Sequence, residues 1–139
     1  MATDGEPVEL TLYEAVGGMS FFERLVDAFY RRVQADPVLI SLYPEEDLVP
    51  AKHRLVTFLA QYWGGPATYL EERGHPALKM RHAPFPIGPR ERDHWMAAMS
   101  AAVDELAPIE QAHQMLMDYF RQAAEHLRND QPLRFTGSA

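Results

Sequence analysis

Cysteine is absent from the 139 residues of this sequence. Disulfide bonds, iron–sulfur clusters and every other thiolate-held metal are therefore excluded. A metal ion, if one is bound, would have to be held by histidine, carboxylate or tyrosine side chains. The absence narrows the search for a chemical site to the six histidines and their surroundings.

Basic charge and long apolar runs are also scarce. The formal net charge is −7 and the isoelectric point is about 5.3, whereas a surface for nucleic acid or anionic lipid needs a basic face. No apolar run approaches the roughly 20 residues that span a bilayer, and Asp4, Glu6 and Glu9 without any nearby Lys or Arg argue against a signal peptide. Glycine-rich nucleotide-binding motifs are missing as well. We expect a cytoplasmic protein that binds neither nucleic acid nor membrane.

Apolar residues recur at helical spacing between sharp breakers, and nothing alternates as a strand would. Capping boxes, in which a hydroxyl and a carboxylate satisfy the first free amides of a helix, are predicted at residues 11–14 (TLYE) and 20–23 (SFFE). The helix that follows the second box is predicted to bury Phe22, Leu25, Phe29 and Val33. Prolines and glycines break residues 66–88 into short pieces. The predicted fold is all-α, in one domain over residues 10–128 with flexible ends at 1–9 and 129–139.

His82 stands in the proline-rich part of the chain, within the apolar sequence GHPALKMRHAPFP of residues 74–86. A neutral imidazole against an apolar wall, beside the cationic Arg81, could ligate haem iron and leave an arginine for a haem carboxylate. A half-buried histidine that closes a short helix explains the same pattern. From the spacing alone, both interpretations stay open.

Two E-x-x-H pairs, Glu91 with His94 and Glu110 with His113, raise the alternative of a di-iron centre in a helical bundle. The two predicted helices are joined by a tight turn and should run antiparallel, so their first turns would lie about 28 Å apart. Carboxylates at that separation cannot share a metal pair. We expect both pairs to be solvated polar residues at the positive ends of their helices.

The predicted helix over residues 51–62 offers a small and apolar wall opposite His82. No second iron ligand is expected from that wall, so a sixth coordination position would be open to a gas. Tyr30, Tyr43 and Trp95 combine apolar bodies with polar tips, and a buried donor of this kind needs a partner. Such residues are more often simply core, and a cofactor-free helical interaction module is the alternative from another functional class.

The order of short motifs along the chain resembles that of the truncated haemoglobins, and more closely that of their second group. The resemblance covers about residues 10–128 and implies a two-over-two helical sandwich, a shortened globin with a short proximal helix. It is carried by YEAVGG (13–18), FY (29–30), YPEEDL (43–48), QYWGGP (61–66), RGHP (73–76), MRHAPF (80–85) and ERD with Trp95 (91–95).

The resemblance also implies a cofactor, haem b (iron protoporphyrin IX), and the residues that hold it. His82 would be the proximal iron ligand, and Trp95, Tyr30 and Tyr43 would be the polar residues of the distal pocket. Ala51 would open a path to the iron. Leu55 and Phe58 would line the distal wall. Arg54 and Arg81 would bind the haem carboxylates.

A protein of this family would bind dioxygen reversibly at five-coordinate ferrous haem, together with carbon monoxide and nitric oxide. Several hydrogen-bond donors around one ligand imply slow release, which suits nitric oxide or peroxide detoxification with an external reductase better than oxygen delivery. A haem-based gas sensor is the alternative within the haem interpretation. The sequence leaves open whether Tyr30 forms its hydrogen bond with the ligand or with Tyr43. It also leaves open whether the chain is a monomer or a homodimer.

Overall fold

The computed structural model describes residues 9–44 and 46–130, and over these residues it contains helices and no strand. The prediction of an all-α fold is confirmed. The predicted flexible ends fall mostly on residues 1–8 and 131–139, which lie outside the described part of the chain. The helices are α1 (Leu12–Ala15), α2 (Met19–Ala35), α3 (Pro37–Ile40), α4 (Val49–Tyr62), α5 (Thr68–Arg73), α6 (Leu78–His82), α7 (Pro89–Leu106) and α8 (Glu110–His126).

The start of the chain's first helix follows the predicted capping box. The Thr11 hydroxyl accepts from the Glu14 amide at 3.1 Å, and the Glu14 carboxylate accepts from the Thr11 amide at 3.0 Å. The second predicted box, at residues 20–23, is wrong. Gly17 and Gly18 take positive φ angles of 103° and 79°, which glycine tolerates best. That turn starts α2 two residues earlier than the predicted box would, with Gly18 at its N-cap and no side-chain cap.

The four long helices pack as two over two. α2 contacts both α4 and α7, and α7 contacts α8. The predicted face of α2 is fully buried at Phe22, Leu25, Phe29 and Val33, each with no exposed surface. Burying such side chains stabilises the fold by roughly 1.5–3 kcal/mol each. The core therefore lies where α2 crosses α4 and α7.

Between α4 and α7 the chain runs through the short helices α5 and α6, and polar side chains hold this irregular segment. The Arg81 guanidinium donates from Nε to the Pro76 carbonyl at 2.7 Å and from Nη2 to the Arg73 carbonyl at 3.1 Å. Asn129 accepts from the Ile87 amide at 2.9 Å and donates to the Phe85 carbonyl at 2.7 Å. Irregular backbone needs such partners because its carbonyls and amides have none within a helix.

None of the helices formed by residues 9–44 and 46–130 combines the length and the apolar character needed to cross a membrane.

Candidate functional site

A cavity of about 600 Å³ lies between the long helices and the α5–α6 segment. Its volume is typical of a pocket for a small molecule or cofactor. The structure brings every site residue expected from the sequence into its lining, from four separate stretches of chain: Tyr30 and Tyr43; Ala51, Arg54, Leu55 and Phe58; Arg81 and His82; and Trp95.

His82 is the last residue of α6 and is half-buried. Its Nδ1 lies 2.6 Å from the carbonyl oxygen of Leu78, one helical turn earlier. Because a carbonyl can only accept, Nδ1 carries the proton, and the neutral ring keeps its free lone pair on Nε2. A hydrogen bond of this kind fixes the orientation and tautomer of a histidine that ligates a metal.

Apart from Arg54, the residues of α4 that line the cavity are apolar. Ala51 is buried, and Leu55 and Phe58 are half-buried. His53 belongs to the same helix, but its Nε2 lies 2.8 Å from the Glu72 carboxylate and it does not line the cavity. Among the described residues that line the cavity, His82 is the one histidine.

Tyr30 and Tyr43 form a pair of phenols at one end of the cavity. Their rings meet edge to face with centroids 5.5 Å apart. Burial raises the pKa of the Tyr43 phenol, while a hydrogen bond with Tyr30 and the charge of Arg54 pull that pKa back down. Tyr43 is therefore protonated at neutral pH. Each hydroxyl can donate or accept, so either phenol can be the donor of the bond between them.

Trp95 lies one turn and a half into α7 and is fixed by ring contacts on two sides. Its indole meets Phe29 of α2 at a centroid distance of 5.5 Å and Phe120 of α8 at 5.7 Å. Offset and tilted aromatic pairs of this kind are favourable and restrict rotation. The indole N–H is a donor only, and Trp95 lines the cavity.

Four arginines line the cavity, two more than the sequence suggested. Arg81 directs its guanidinium at backbone carbonyls of residues 73–76, as described above. Arg92 donates to Glu125 at 2.6 Å and to Asp93 at 3.1 Å. Arg73 and Arg92 were both missed; Arg73 is the last residue of α5. The place of α5 depends on how residues 63–67 turn after α4, and no local pattern in the sequence says where that turn directs the helix.

The sequence also did not mark the α8 side of the cavity as part of a site. Tyr119 and Phe120 of α8 both line the cavity. Burial, and next the neighbouring Tyr62, raises the pKa of Tyr119 to about 12. A helical core stripe and a pocket wall have the same spacing, so sequence periodicity cannot separate them.

The E-x-x-H pairs do not act together. Glu91 caps the start of α7 by accepting a hydrogen bond from the Gly88 amide at 2.9 Å. This hydrogen bond lowers the pKa of the Glu91 carboxyl. His94 and His113 each bond an aspartate instead, at 2.8 Å to Asp36 and at 2.9 Å to Asp104. The expectation that these histidines are merely solvated is wrong, because carboxylates distant in sequence face them.

A family model described as bacterial-like globin matches residues 11–129. Group 2 truncated hemoglobin YjbI of Bacillus subtilis is 38% identical over 117 residues, which are 84% of this chain and 87% of that protein.

Two solved structures are also similar. One is a hemoglobin from the thermophilic phototrophic bacterium Chloroflexus aurantiacus, with 55% identity and a TM-score of 0.85 over 87% of this chain and 99% of that chain. The other is a truncated oxygen-avid haemoglobin from Bacillus subtilis, with 38% identity and a TM-score of 0.81 over 86% of this chain and 100% of that chain.

Proposed function

The chain belongs to the bacterial-like globin family, as a truncated haemoglobin of the second group, and we propose that it holds haem b through His82 and binds dioxygen reversibly. Haem, when bound, supplies a ferrous iron that coordinates a diatomic gas. The residues around the cavity fit this group: one histidine on one wall, an apolar wall opposite, and cations at the rim.

The observation that carries the proposal is the hydrogen bond between His82 Nδ1 and the Leu78 carbonyl. It places a proton on Nδ1, so that in the neutral ring the lone pair lies on Nε2, the atom that would bind iron. A histidine that merely closed a helix would have no need of a cavity of about 600 Å³ on its other side. Leu55 and Phe58 would then exclude water from the face opposite His82.

On that opposite face we assign Tyr43 and Trp95 as donors to the gas ligand, with Tyr30 supporting Tyr43. A hydrogen bond to a group that carries charge contributes about 1.5–3 kcal/mol, and each 1.4 kcal/mol or so is a factor of ten. Two such bonds slow the release of dioxygen by about a hundredfold or more. The oxygen-avid haemoglobin of Bacillus subtilis supports this expectation by its similarity. Ala51 leaves the approach to the ligand open.

The haem carboxylates need cationic partners. Because Arg81 binds backbone carbonyls through both Nε and Nη2, we assign it to holding the segment that presents His82 and not to a haem carboxylate. Arg54 and Arg73, which both line the cavity, are the residues that we propose for the carboxylates. A guanidinium suits this contact because it can bind a carboxylate through two parallel hydrogen bonds.

Slow release favours chemistry on the held gas over delivery of it. We propose that nitric oxide reacts with the retained dioxygen to give nitrate, a conversion that requires one electron to restore ferrous iron. The sequence contains no flavin or nicotinamide motif, so the electron would come from a separate reductase. Carbon monoxide would compete with dioxygen for the same position, and reaction with peroxide is a second activity of the same site.

Reconstitution tests the assignment of His82. Apoprotein titrated with haemin should develop a Soret band that saturates at one equivalent and shifts after reduction and addition of carbon monoxide. His82→Gly should lose that band or bind weakly, and added imidazole should restore the spectrum by filling the space of the missing ring. His75→Gly is the matched control, because His75 belongs to the same segment but does not line the cavity. An unaltered spectrum in His82→Gly would overturn the proposal.

A further inference from the structure

The Asp36 carboxylate joins two elements that border the cavity. One oxygen, Oδ1, caps α3 by accepting from the Val38 amide at 2.9 Å and the Leu39 amide at 3.3 Å. The other oxygen, Oδ2, lies 2.8 Å from Nδ1 of His94 on α7. A single side chain thus fixes the start of α3 and ties it to α7.

Each of these elements is connected to one of the two proposed donors, Tyr43 shortly after α3 and Trp95 on α7. On the α3 side, Leu39 is fully buried and lines the cavity. The turn continues by hydrogen bonds from the Leu42 amide to the Leu39 carbonyl at 2.9 Å and from the Tyr43 amide to the Ile40 carbonyl at 3.1 Å. On the α7 side, His94 immediately precedes Trp95.

We propose that Asp36 and His94 are a positioning pair, which holds Tyr43 and Trp95 at the separation that lets both donate to one ligand. This inference rests on the function proposed above, since it concerns the ligand of that site. Neither Asp36 nor His94 lines the cavity, so the pair acts through its neighbours and not by contact with haem or gas.

The pair is suited to a fixed contact and not to a switch. The hydrogen bond from His94 is the largest influence on the Asp36 carboxyl and lowers its pKa, with the amides of Leu39 and Val38 acting in the same direction. Asp36 is therefore an acceptor throughout the neutral range. The His94 ring can donate from Nδ1 as a neutral imidazole and also as an imidazolium, so the contact survives a change in the charge of His94.

The chain contains a matched pair for comparison. His113 Nε2 lies 2.9 Å from Oδ1 of Asp104 and connects α8 to α7, by the same chemistry and at nearly the same distance. Neither residue lines the cavity or borders a distal donor in sequence. Loss of the Asp104–His113 bond should affect the stability of the fold, as loss of the Asp36–His94 bond should, without affecting the ligand.

The experiment compares haem-loaded His94→Ala, His94→Gln and His113→Ala with the wild type. Two quantities are measured: the rate of dioxygen dissociation by stopped flow, and the C–O stretching band of the carbon monoxide complex by infrared spectroscopy. His94→Ala should release dioxygen about three- to tenfold faster, which corresponds to partial loss of one charge-assisted hydrogen bond. Its C–O band should shift or broaden, because that band reports the donors next to the ligand.

His94→Gln should have a dissociation rate and a C–O band closer to those of the wild type, because the glutamine amide can still donate to Asp36. His113→Ala should leave the rate and the band unchanged. Equal effects in His94→Ala and His113→Ala, or an unchanged rate in His94→Ala, would overturn the proposal. Asp36→Ser serves if His94→Ala does not fold, since serine caps helices as well as aspartate does but is too short to reach His94; it should show the same faster release. Wild-type protein that takes up no haem would refute the proposed function itself, and that outcome is visible before any variant is measured.

Discussion

The hydrogen bond between Tyr30 and Tyr43 predicts that Tyr43→Phe and Tyr30→Phe have unequal effects on dioxygen release. We propose that Tyr30 is the donor in its hydrogen bond with Tyr43, which leaves the Tyr43 proton for the ligand. Tyr43→Phe removes a hydrogen bond worth about 1.5–3 kcal/mol and should speed dioxygen release about ten- to a hundredfold. Tyr30→Phe leaves the bond from Tyr43 to the ligand in place. It removes only the strengthening of that bond by the hydrogen bond from Tyr30, which is roughly 10–30% of its energy. Its effect should stay below about fivefold.

Stopped-flow displacement of dioxygen by carbon monoxide measures both rates on haem-loaded protein. Tyr62→Phe is the control, because Tyr62 is 53% exposed and does not line the haem cavity. The two variants should also differ in the infrared spectrum of the carbon monoxide complex, where only Tyr43→Phe should move the C–O band strongly. An effect of Tyr30→Phe equal to or larger than that of Tyr43→Phe would refute the proposed order of donors.

Three further outcomes follow from the geometry. Gly65→Ala should lower the free energy of unfolding by about 1–3 kcal/mol in urea, because a Cβ there would lie 2.6 Å from the Tyr13 ring. The pKa of Tyr119 rises from its usual 10 to about 12 on folding, so the protonated phenol stabilises the fold below pH 10 and this contribution is lost as the pH rises to about 12. Tyr119→Phe should therefore lose less stability than the wild type over that alkaline interval. Arg81→Gln should release haem to a competing apoglobin about tenfold faster, through the lost hydrogen bonds to carbonyls, whereas no change would reject its assigned role in presenting His82.

Periodicity and breakers predicted the helices because both act locally. The fully buried face of α2 and the Thr11 cap follow directly from spacing and from the chemistry of the first turn. The second predicted cap was wrong, since Ser20 competes with a glycine turn that sets where the helix begins. Local rules favour both the Ser20 cap and the glycine turn as the start of α2. Only the path of the chain in three dimensions decides between them.

The site, like the fold, could be predicted from the sequence only in part. The resemblance to a known family identified the residues from Tyr30 to Trp95 that the fold then brings to one cavity. The partner of Arg81 and the pairing of His94 with Asp36 could not be inferred, because each depends on where a distant or irregular stretch of backbone comes to lie. Such contacts join residues without any shared periodicity, so the sequence pattern carries no signal for them.

The bond from His82 to iron is the claim on which the account depends, and resonance Raman spectroscopy of the ferrous, ligand-free protein tests it most directly. The wild type should show an iron–histidine stretching band that shifts when the protein contains isotopically labelled histidine, and His82→Gly should lose the band. A band of the same frequency in His82→Gly, or no such band in the wild type, would contradict the account.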